Sequence, residues 1–381
     1  MNANQAIRSR NSDRSRPIAI IIGARAPYMH RLYERLGSEL DRPLHVLACS
    51  AREAARQWEL PDPKAYRFEV IPGLRWYRSA VSNLYINPYI VPRIITLRPS
   101  LIVVNDFAPT MLMAAATARL LAIPYGLRTD GVPDTDPGQR SWSHRTMRRL
   151  LVPKARFGLG ASDGSLRLLE GYSLAAERLA LAPLFPAWEP EGLEGTMQSD
   201  RDRPYDILFC GILNEEVKGA RFFTEVVLAC HARGRELRIR VAGDGPLRGE
   251  MQSRFAEAGV NAHFDGFVQQ QGLNAIYASA RLFLFPSRGD VWGVVIQEAL
   301  QCGTAVLASP HSGSARELLD AYACGVIRPM TVDGWVAAAL DLLDDPERRT
   351  NLRHLAAPAL ERFSLAAATD AYRKVLTDSP D

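Results

Sequence analysis

What most restricts the folding of this chain is a regular exchange between two hydrophobic periods. Short runs rich in Ile, Val and Leu alternate with longer segments in which apolar residues recur at helical spacing. The runs at 17–23 (PIAIIIG), 44–49, 101–105 (LIVVN), 124–128 and 156–161 read as buried strands, and 28–40, 108–122 and 163–170 as helices. A continuous apolar run suits a strand covered on both faces, the condition of a parallel sheet crossed over by helices. The pattern predicts βαβ units and a doubly wound α/β architecture.

The exchange stops at 183–204, a stretch rich in Pro, Gly and charge with neither period, and then resumes. Strands are expected at 205–210, 237–242, 262–265, 282–286 and 305–308, and helices at 335–343 and 351–359 close the series. A chain of 381 residues is long for one core and suits two. The expected organisation is a disordered lead-in at 1–16, a first domain at 17–182, a linker at 183–204 and a second domain at 205–363. The last helix, 364–381, is expected to pack back on the first domain. Two such domains would leave a cleft between the carboxyl edges of their sheets, where ligands bind.

Composition removes several classes of function. Hydrophobic residues make up 47% and charged residues 23%, which excludes a disordered or collagen-like chain. Lys plus Arg number 46 against 42 Asp plus Glu, and a net charge of +4 argues for no nucleic-acid partner. Cys49, Cys210, Cys230, Cys302 and Cys324 form no C-x-x-C pair, so neither a zinc site nor a disulfide framework is expected. A reduced, cytoplasmic compartment fits. Residues 1–16 carry Arg8, Arg10, Arg14 and Arg16 without the apolar core of a signal peptide, and runs such as 18–22 are too short to span a bilayer.

The most informative stretch is 285–306, FPSRGDVWGVVIQEALQCGTAV. A strand ends, a polar loop holds Asp290, and Gly293 opens a helix that carries Glu298. The amides of Gly293, Val294 and Val295 and the helix dipole suit an anion such as phosphate. Two carboxylates beside a phosphate would repel it, so they are better placed to accept hydrogen bonds from hydroxyl-rich groups such as sugars. The plain alternative is a helix cap at Asp290 and a solvated Glu298.

This stretch resembles the signature of the family 4 retaining glycosyltransferases of the GT-B fold, E-x-F-G-x-x-x-x-E-A-x-x-C-G-x-P-V. Asp290, Trp292, Gly293, Glu298, Ala299, Cys302, Gly303 and Val306 fall on it in register, with Asp for the first Glu and Ala305 for the Pro. The segment 241–247 (VAGDGPL), with Gly243, Asp244 and Gly245, is similar to the family's G-D-G-P-L turn. The segment 266–268, with Phe267 and Val268, is similar to the strand end near the nucleotide base. The segment 211–219 (GILNEEVKG) resembles the loop that carries an Arg and a Lys for the diphosphate. Gly211 and Lys218 match it, but Ile212 stands where the Arg is expected, with Arg288 and Arg316 as the alternative cations.

The resemblance covers about residues 205–320 and implies two Rossmann-like domains facing each other across a cleft. It also implies a UDP- or GDP-sugar donor and transfer with retention. Asp290 would bind sugar hydroxyls, Glu298 the ribose, and Lys218 with the amides of 293–295 the diphosphate. No cofactor and no metal are expected. The sequence 134–136 (DTD) imitates a D-x-D metal motif but sits in the Gly- and Pro-rich loop DGVPDTDPG, where it reads as a turn. Gly243 and Gly245 lack the spacing and strand context of a dinucleotide fingerprint.

In the first domain the resemblance places Gly23 beside the donor phosphate, and Tyr28 and Arg31 (in PYMHRLYERL) toward the cleft. A helix cap and core contacts are the alternatives there. Where family members carry a His near the reacting sugar, this chain has 126–131 (GLRTDG), with Asp130 to orient the acceptor hydroxyl or take its proton. A turn-stabilising Asp is the other reading. His311 reads as structural or a phosphate neighbour, and Glu317 matches a family Glu.

Finally, 140–156 (RSWSHRTMRRLLVPKAR) carries Arg140, Arg145, Arg148, Arg149, Lys154 and Arg156 and no acid. With Trp142, Met147, Leu150 and Leu151 able to share a helix face, it reads either as an element facing an anionic membrane or as a surface helix packed on the sheet. The segment 85–97 would extend the same surface. The function expected is sugar transfer to a lipid-linked or polysaccharide-precursor acceptor in the cytoplasm, peripherally at the membrane. An epimerase of the same fold and a catalytically weakened sugar-nucleotide-binding protein stay open.

Overall fold

Five buried residues in a row, Ile18–Ile22, can be satisfied only inside a sheet covered on both faces, and they form the first strand, β1 (Ile18–Ala24). The computed structural model describes residues 15–51, 58–79, 82–139, 141–188 and 202–377. The expected lead-in up to residue 14, Arg140 and 189–201 of the expected linker lie outside these. The chain divides into two compact units, 1–184 with 365–381, and 185–364.

The first unit continues through α1 (Pro27–Glu39), β2 (Leu44–Ser50), β3 (Arg67–Val70), β4 (Leu74–Ser79), β5 (Ser82–Ile86), α2 (Ile90–Leu97) and β6 (Leu101–Asn105). It then runs through α3 (Pro109–Leu120), β7 (Tyr125–Thr129), α4 (Trp142–Leu151), β8 (Gly158–Gly160), α5 (Asp163–Gly171) and β9 (Leu179–Leu181). Seven parallel strands lie in the order β3-β2-β1-β6-β7-β8-β9. The order reverses between β1 and β6, so the loops after these two strands flank the ligand-binding switch point of the sheet. β4 and β5 form a separate antiparallel pair.

The second unit holds β10 (Tyr205–Cys210), α6 (Ala220–Ala232), β11 (Ile239–Ala242), α7 (Arg248–Glu257), β12 (Ala262–Gly266), α8 (Gln270–Ala278) and β13 (Ala280–Phe285). There follow α9 (Val294–Gln301), β14 (Ala305–Ala308), a π-helical turn at Ala315–Asp320, β15 (Val326–Ile327), α10 (Val332–Asp344), α11 (Pro346–Leu355) and α12 (Ala357–Arg362). Its parallel sheet is ordered β12-β11-β10-β13-β14-β15, with the switch between β10 and β13. Phe209, Phe223, Phe255 and Trp335 fill the core.

α13 (Leu365–Thr377) belongs to the first unit, where it packs on α1 and buries Tyr372. Three local expectations change. The helix expected at 351–359 is two helices, because Pro358 has no N–H to donate to the His354 carbonyl and its ring crowds that oxygen. The 183–204 stretch is not all linker. Leu184 and Phe185 are buried, and Arg203 is 1% exposed, its guanidinium donating to Ala280 O, Thr304 Oγ1, Cys302 O and Gly303 O. Tyr85, expected on an exposed surface, is buried.

Candidate functional site

At the switch point of the second unit, the loop after β10 meets the loop after β13. Ser287 Oγ and the Arg288 N–H both donate to Val217 O, at 2.9 Å each, which seats Lys218 against the β13 loop. Its ammonium lies 2.5 Å from Asp290 Oδ2 and 5.0 Å from the centroid of the Phe285 ring. Both Lys218 and Asp290 are partly sheltered, so the attraction is less screened than at a free surface.

The Asp290 loop is itself held. Its N–H donates to His311 O at 3.1 Å, and the Ser314 hydroxyl donates to Trp292 O at 2.5 Å and Gly293 O at 3.1 Å. Gly293 takes φ 87°, a left-handed value that favours glycine, and from it α9 begins with no acidic residue in its first turn. The first amides of a helix have no partner within it, so those of Val294 and Val295 form an anion-accepting end.

Glu298, inside α9, is 7% exposed. Burial pushes its carboxyl up to about 7, against the pull of the Tyr277 hydroxyl and the Lys218 charge. Tyr277 donates to Glu298 Oε2 at 2.9 Å and neighbours Cys210, whose thiol burial pushes up to about 12. An inert thiol, a phenol and a carboxyl poised near neutrality thus underlie the Lys218–Asp290 pair.

Along the rest of this edge the surface is backbone. The Gly211 N–H donates to Ala242 O at 2.9 Å and the Gly243 N–H to Gly266 O at 2.7 Å, which laces three strand ends together. Gly243 has φ 144°, and a Cβ there would fall 1.8 Å from Gly211 O. Gly245 lies against the Leu213 backbone, and Asp244 pairs with Arg248 at 3.5 Å. Phe267, just past β12, is 39% exposed, and Val268 is half-buried.

Two expected site residues sit differently. Trp292 points inward: its Nε1 donates to Gln297 Oε1 at 2.7 Å and its ring lies 5.0 Å from that of Phe363. Its side chain therefore does not line a donor pocket. Arg288, offered as an alternative cation, pairs with Glu215 at 2.5 Å. Arg248, which sequence reasoning passed over, overhangs Gly266 where a Cβ would stand 3.3 Å from its Nη1.

The switch point of the first unit is built from side chains. Asp106 directly follows β6 in a left-handed conformation, φ 63°, and accepts from Thr129 Oγ1 at 2.7 Å. Burial and the neighbouring Asp130 push its carboxyl up to about 6, against the pull of Arg128. Asp130, after β7, lies 3.8 Å from the buried Arg128 guanidinium. Tyr28 and Tyr372 act electrostatically on the same Arg128, and Tyr33 lies beside them, its phenol raised by burial. Arg31 is half-buried on α1, and a Cβ on Gly23 would stand 3.1 Å from the Tyr85 ring. Asp106 could have been suspected, since it follows the strand expected at 101–105.

Of the three arginines expected toward a membrane, Arg148 is corrected. It is buried, 2.9 Å from Asp136 Oδ1 and 4.4 Å from the centroid of the Phe107 ring. Arg145 donates to Gly138 O and Gln139 O, and Arg149 is exposed. Among the described residues no helix is long and apolar enough to cross a membrane.

Residues 204–345 match the profile of the family Glycosyl transferases group 1. The alpha-D-kanosaminyltransferase of Streptomyces kanamyceticus is 29% identical over 172 residues, 44% of each chain. The sulfoquinovosyl transferase SQD2 of Arabidopsis thaliana is 24% identical over 318 residues, 78% of this chain and 60% of that protein. The matches therefore span 44% and 60% of these two curated relatives' lengths. Among solved structures, Anabaena HepE in complex with UDP superposes with a TM-score of 0.71 at 16% identity, covering 95% of this chain and 99% of that one. WaaG, a glycosyltransferase involved in lipopolysaccharide biosynthesis, gives 0.65 at 15% identity, covering 95% and 100%. At these identities the likeness is one of fold, and the fold is GT-B.

Proposed function

We propose that this chain is a retaining glycosyltransferase. It moves a sugar from a UDP- or GDP-sugar to a lipid-linked or polysaccharide-precursor acceptor, on the cytoplasmic side and without a divalent metal. One coincidence carries the reading: the stretch matched to the group 1 family, 204–345, contains every member of the assembled edge at β10 and β13. Lys218, Asp290, the α9 start and Glu298 all lie in it. The UDP complex of a fold relative and the sugar-transferring relatives support the donor class.

In the proposed reaction the bond between the anomeric carbon and the diphosphate breaks, and its electron pair leaves with the diphosphate. The acceptor oxygen bonds to the same face of the sugar, and its proton passes to the departing oxygen. Charge grows on the diphosphate, so Lys218 and the amides of Val294 and Val295, fixed before substrate arrives, lower the barrier. Asp290 holds the Lys218 ammonium and presents its other oxygen to sugar hydroxyls. Glu298 accepts from the ribose when ionised. Asp130 orients the acceptor hydroxyl.

A binding role without turnover is the second reading. Ile212 in place of an Arg favours it, as does the pairing of Lys218 with Asp290. Thermal shift across a panel of sugar nucleotides, followed by nucleotide release with and without EDTA, separates the two. Stabilisation with EDTA-insensitive release is the expected result. Stabilisation without release under any acceptor supports the binder, and no stabilisation by any nucleotide overturns both.

A further inference from the structure

A cavity of about 440 Å³ opens on the first unit, where β2 and β3 form the edge of its sheet. His45 in β2 stands beside Arg67 in β3, and Leu47 beside Glu69, so these four side chains share one face of the sheet. Arg93, on α2, completes the lining of that face. His45 and Arg67 sit at the amino ends of their strands, whereas the switch point lies at the carboxyl ends. The cavity is therefore separate from the site above, and its volume is that of a small-molecule pocket.

His45 is 8% exposed and lines the cavity, yet its imidazole has no hydrogen-bond partner among the described residues. A buried polar ring is costly until something pairs with it. Glu69 occupies Arg93: Nε donates to both carboxylate oxygens, at 2.9 and 2.8 Å, and Nη2 lies 2.7 Å from Oε2. Arg67 is exposed and has no such acid among the described residues. Tyr66 also lines the cavity, but its hydroxyl meets His30 Nδ1 at 2.8 Å, and β1 adds only Ala19 at this register. Burial, with the charges of Arg67 and Arg93, holds the His45 imidazole below its ordinary protonation range, against the pull of Glu69.

We propose that this cavity binds the phosphate monoester of a small organic molecule, held by His45, Arg67 and the remaining Nη1 of Arg93. Donors on three elements surround a tetrahedral group, whereas a planar carboxylate is satisfied by one guanidinium. Charge selects as well. A monoester carries close to two negative charges at pH 7, and the cavity offers a surplus of two positive charges once His45 is protonated. Binding therefore takes up a proton at the imidazole. Leu47 and Pro63 line the remainder and cover the organic part. The site does not depend on the reaction proposed above, so its test has a readout separate from transfer.

The test is histidine-selective NMR of the full chain, with the His45 signal identified by its loss in His45→Gln. Phenyl phosphate, inorganic phosphate and acetate are the probes. Phenyl phosphate is expected to raise the pH at which His45 protonates, and acetate to leave it unchanged. Calorimetry should show phenyl phosphate binding more tightly than inorganic phosphate, with proton uptake. Arg67→Ala should weaken that binding at least about tenfold. Arg67 is exposed, so an unchanged thermal unfolding midpoint checks that the variant is folded. An unmoved His45 overturns the proposal, as does an equal response to acetate. Inorganic phosphate binding at least as tightly as phenyl phosphate overturns the monoester. Binding that Arg67→Ala leaves intact belongs elsewhere on the chain and overturns the site.

Discussion

The two parallel sheets reach their switch points by the same topology and finish them with different materials. In the second unit the edge is backbone: Gly211, Gly243 and Gly266 bring three strand ends within hydrogen-bond distance, and Gly293 opens a helix toward them. In the first unit the edge is side chain: Asp106, Arg128 and Asp130 crowd together among Tyr28, Tyr33 and Tyr372. Bare amides at close approach suit a diphosphate. In the first unit the buried Tyr33, Tyr372 and Arg128 pack behind the half-buried Tyr28, Asp106 and Asp130. One fold thus finishes one sheet edge with glycines and the other with ionisable groups.

The contrast breaks most easily at its glycines. Gly243→Ala drives a Cβ into the Gly211 carbonyl at a φ of 144° and should cost about 4 kcal/mol, strain and overpacking together. Gly23→Ala meets only the Tyr85 ring, at 3.1 Å, and should cost about 1 kcal/mol. Urea denaturation compares them, and equal costs would dissolve the distinction between the edges. Next in size, Lys218→Ala should lower transfer at least ~100-fold by removing a main electrostatic contact, against ~10-fold for Asp130→Asn. Steady-state release of the nucleotide identified by thermal shift provides the ratio; a larger loss at Asp130 would move the chemistry to the first unit.

Glu298 sharpens the comparison through pH. Its carboxyl is raised to about 7, so donor binding that needs the ionised form should weaken as pH falls below that value. Glu298→Gln should bind the donor about tenfold more weakly at pH 8, with the pH dependence gone. The folded chain also keeps a proton there that the unfolded chain releases near its ordinary value of about 4.3. Stability therefore falls as pH rises between these values, and the variant should be the more stable form at pH 8. Calorimetry at both ends of the window checks the sign. The smallest effect is at Asp106, where the same reasoning applies between about 4 and about 6. Asp106→Asn keeps the left-handed backbone and should add about 1 kcal/mol at pH 8 and little at pH 4. A loss of stability at pH 8 would mean that Arg128 needs that charge.

The alternation of hydrophobic periods was enough to find every strand of the two sheets except β3, β9 and β15, because burial on two faces leaves a pattern local in sequence. The strand–loop–helix pattern of 285–306 singled out Asp290 and Glu298, and the family resemblance of 211–219 singled out Lys218, in the loops that converge at β10 and β13. What escaped was pairing across space. Arg148 looked solvated because its own helix has no acid, while Asp136 reaches it from the preceding loop. Tyr277 gave no sign of meeting Glu298 from another helix. Arg203 sat in a stretch rich in Pro, Gly and charge, and only the fold supplies the four oxygen acceptors that make its burial tolerable. β3 alternates weakly and is half exposed, as an edge strand is, so its period fell below notice.

The place of α13 carries a consequence for how the chain comes into being. Tyr372 completes the packing beside Arg128 and Tyr33, yet it follows the whole of the second unit in sequence. A ribosome releases residues 185–364 before the helix that the first unit requires. The half made first must therefore wait, with part of its interior uncovered, while the half made second can close on its own. In this molecule the order of synthesis and the order of completion run in opposite directions.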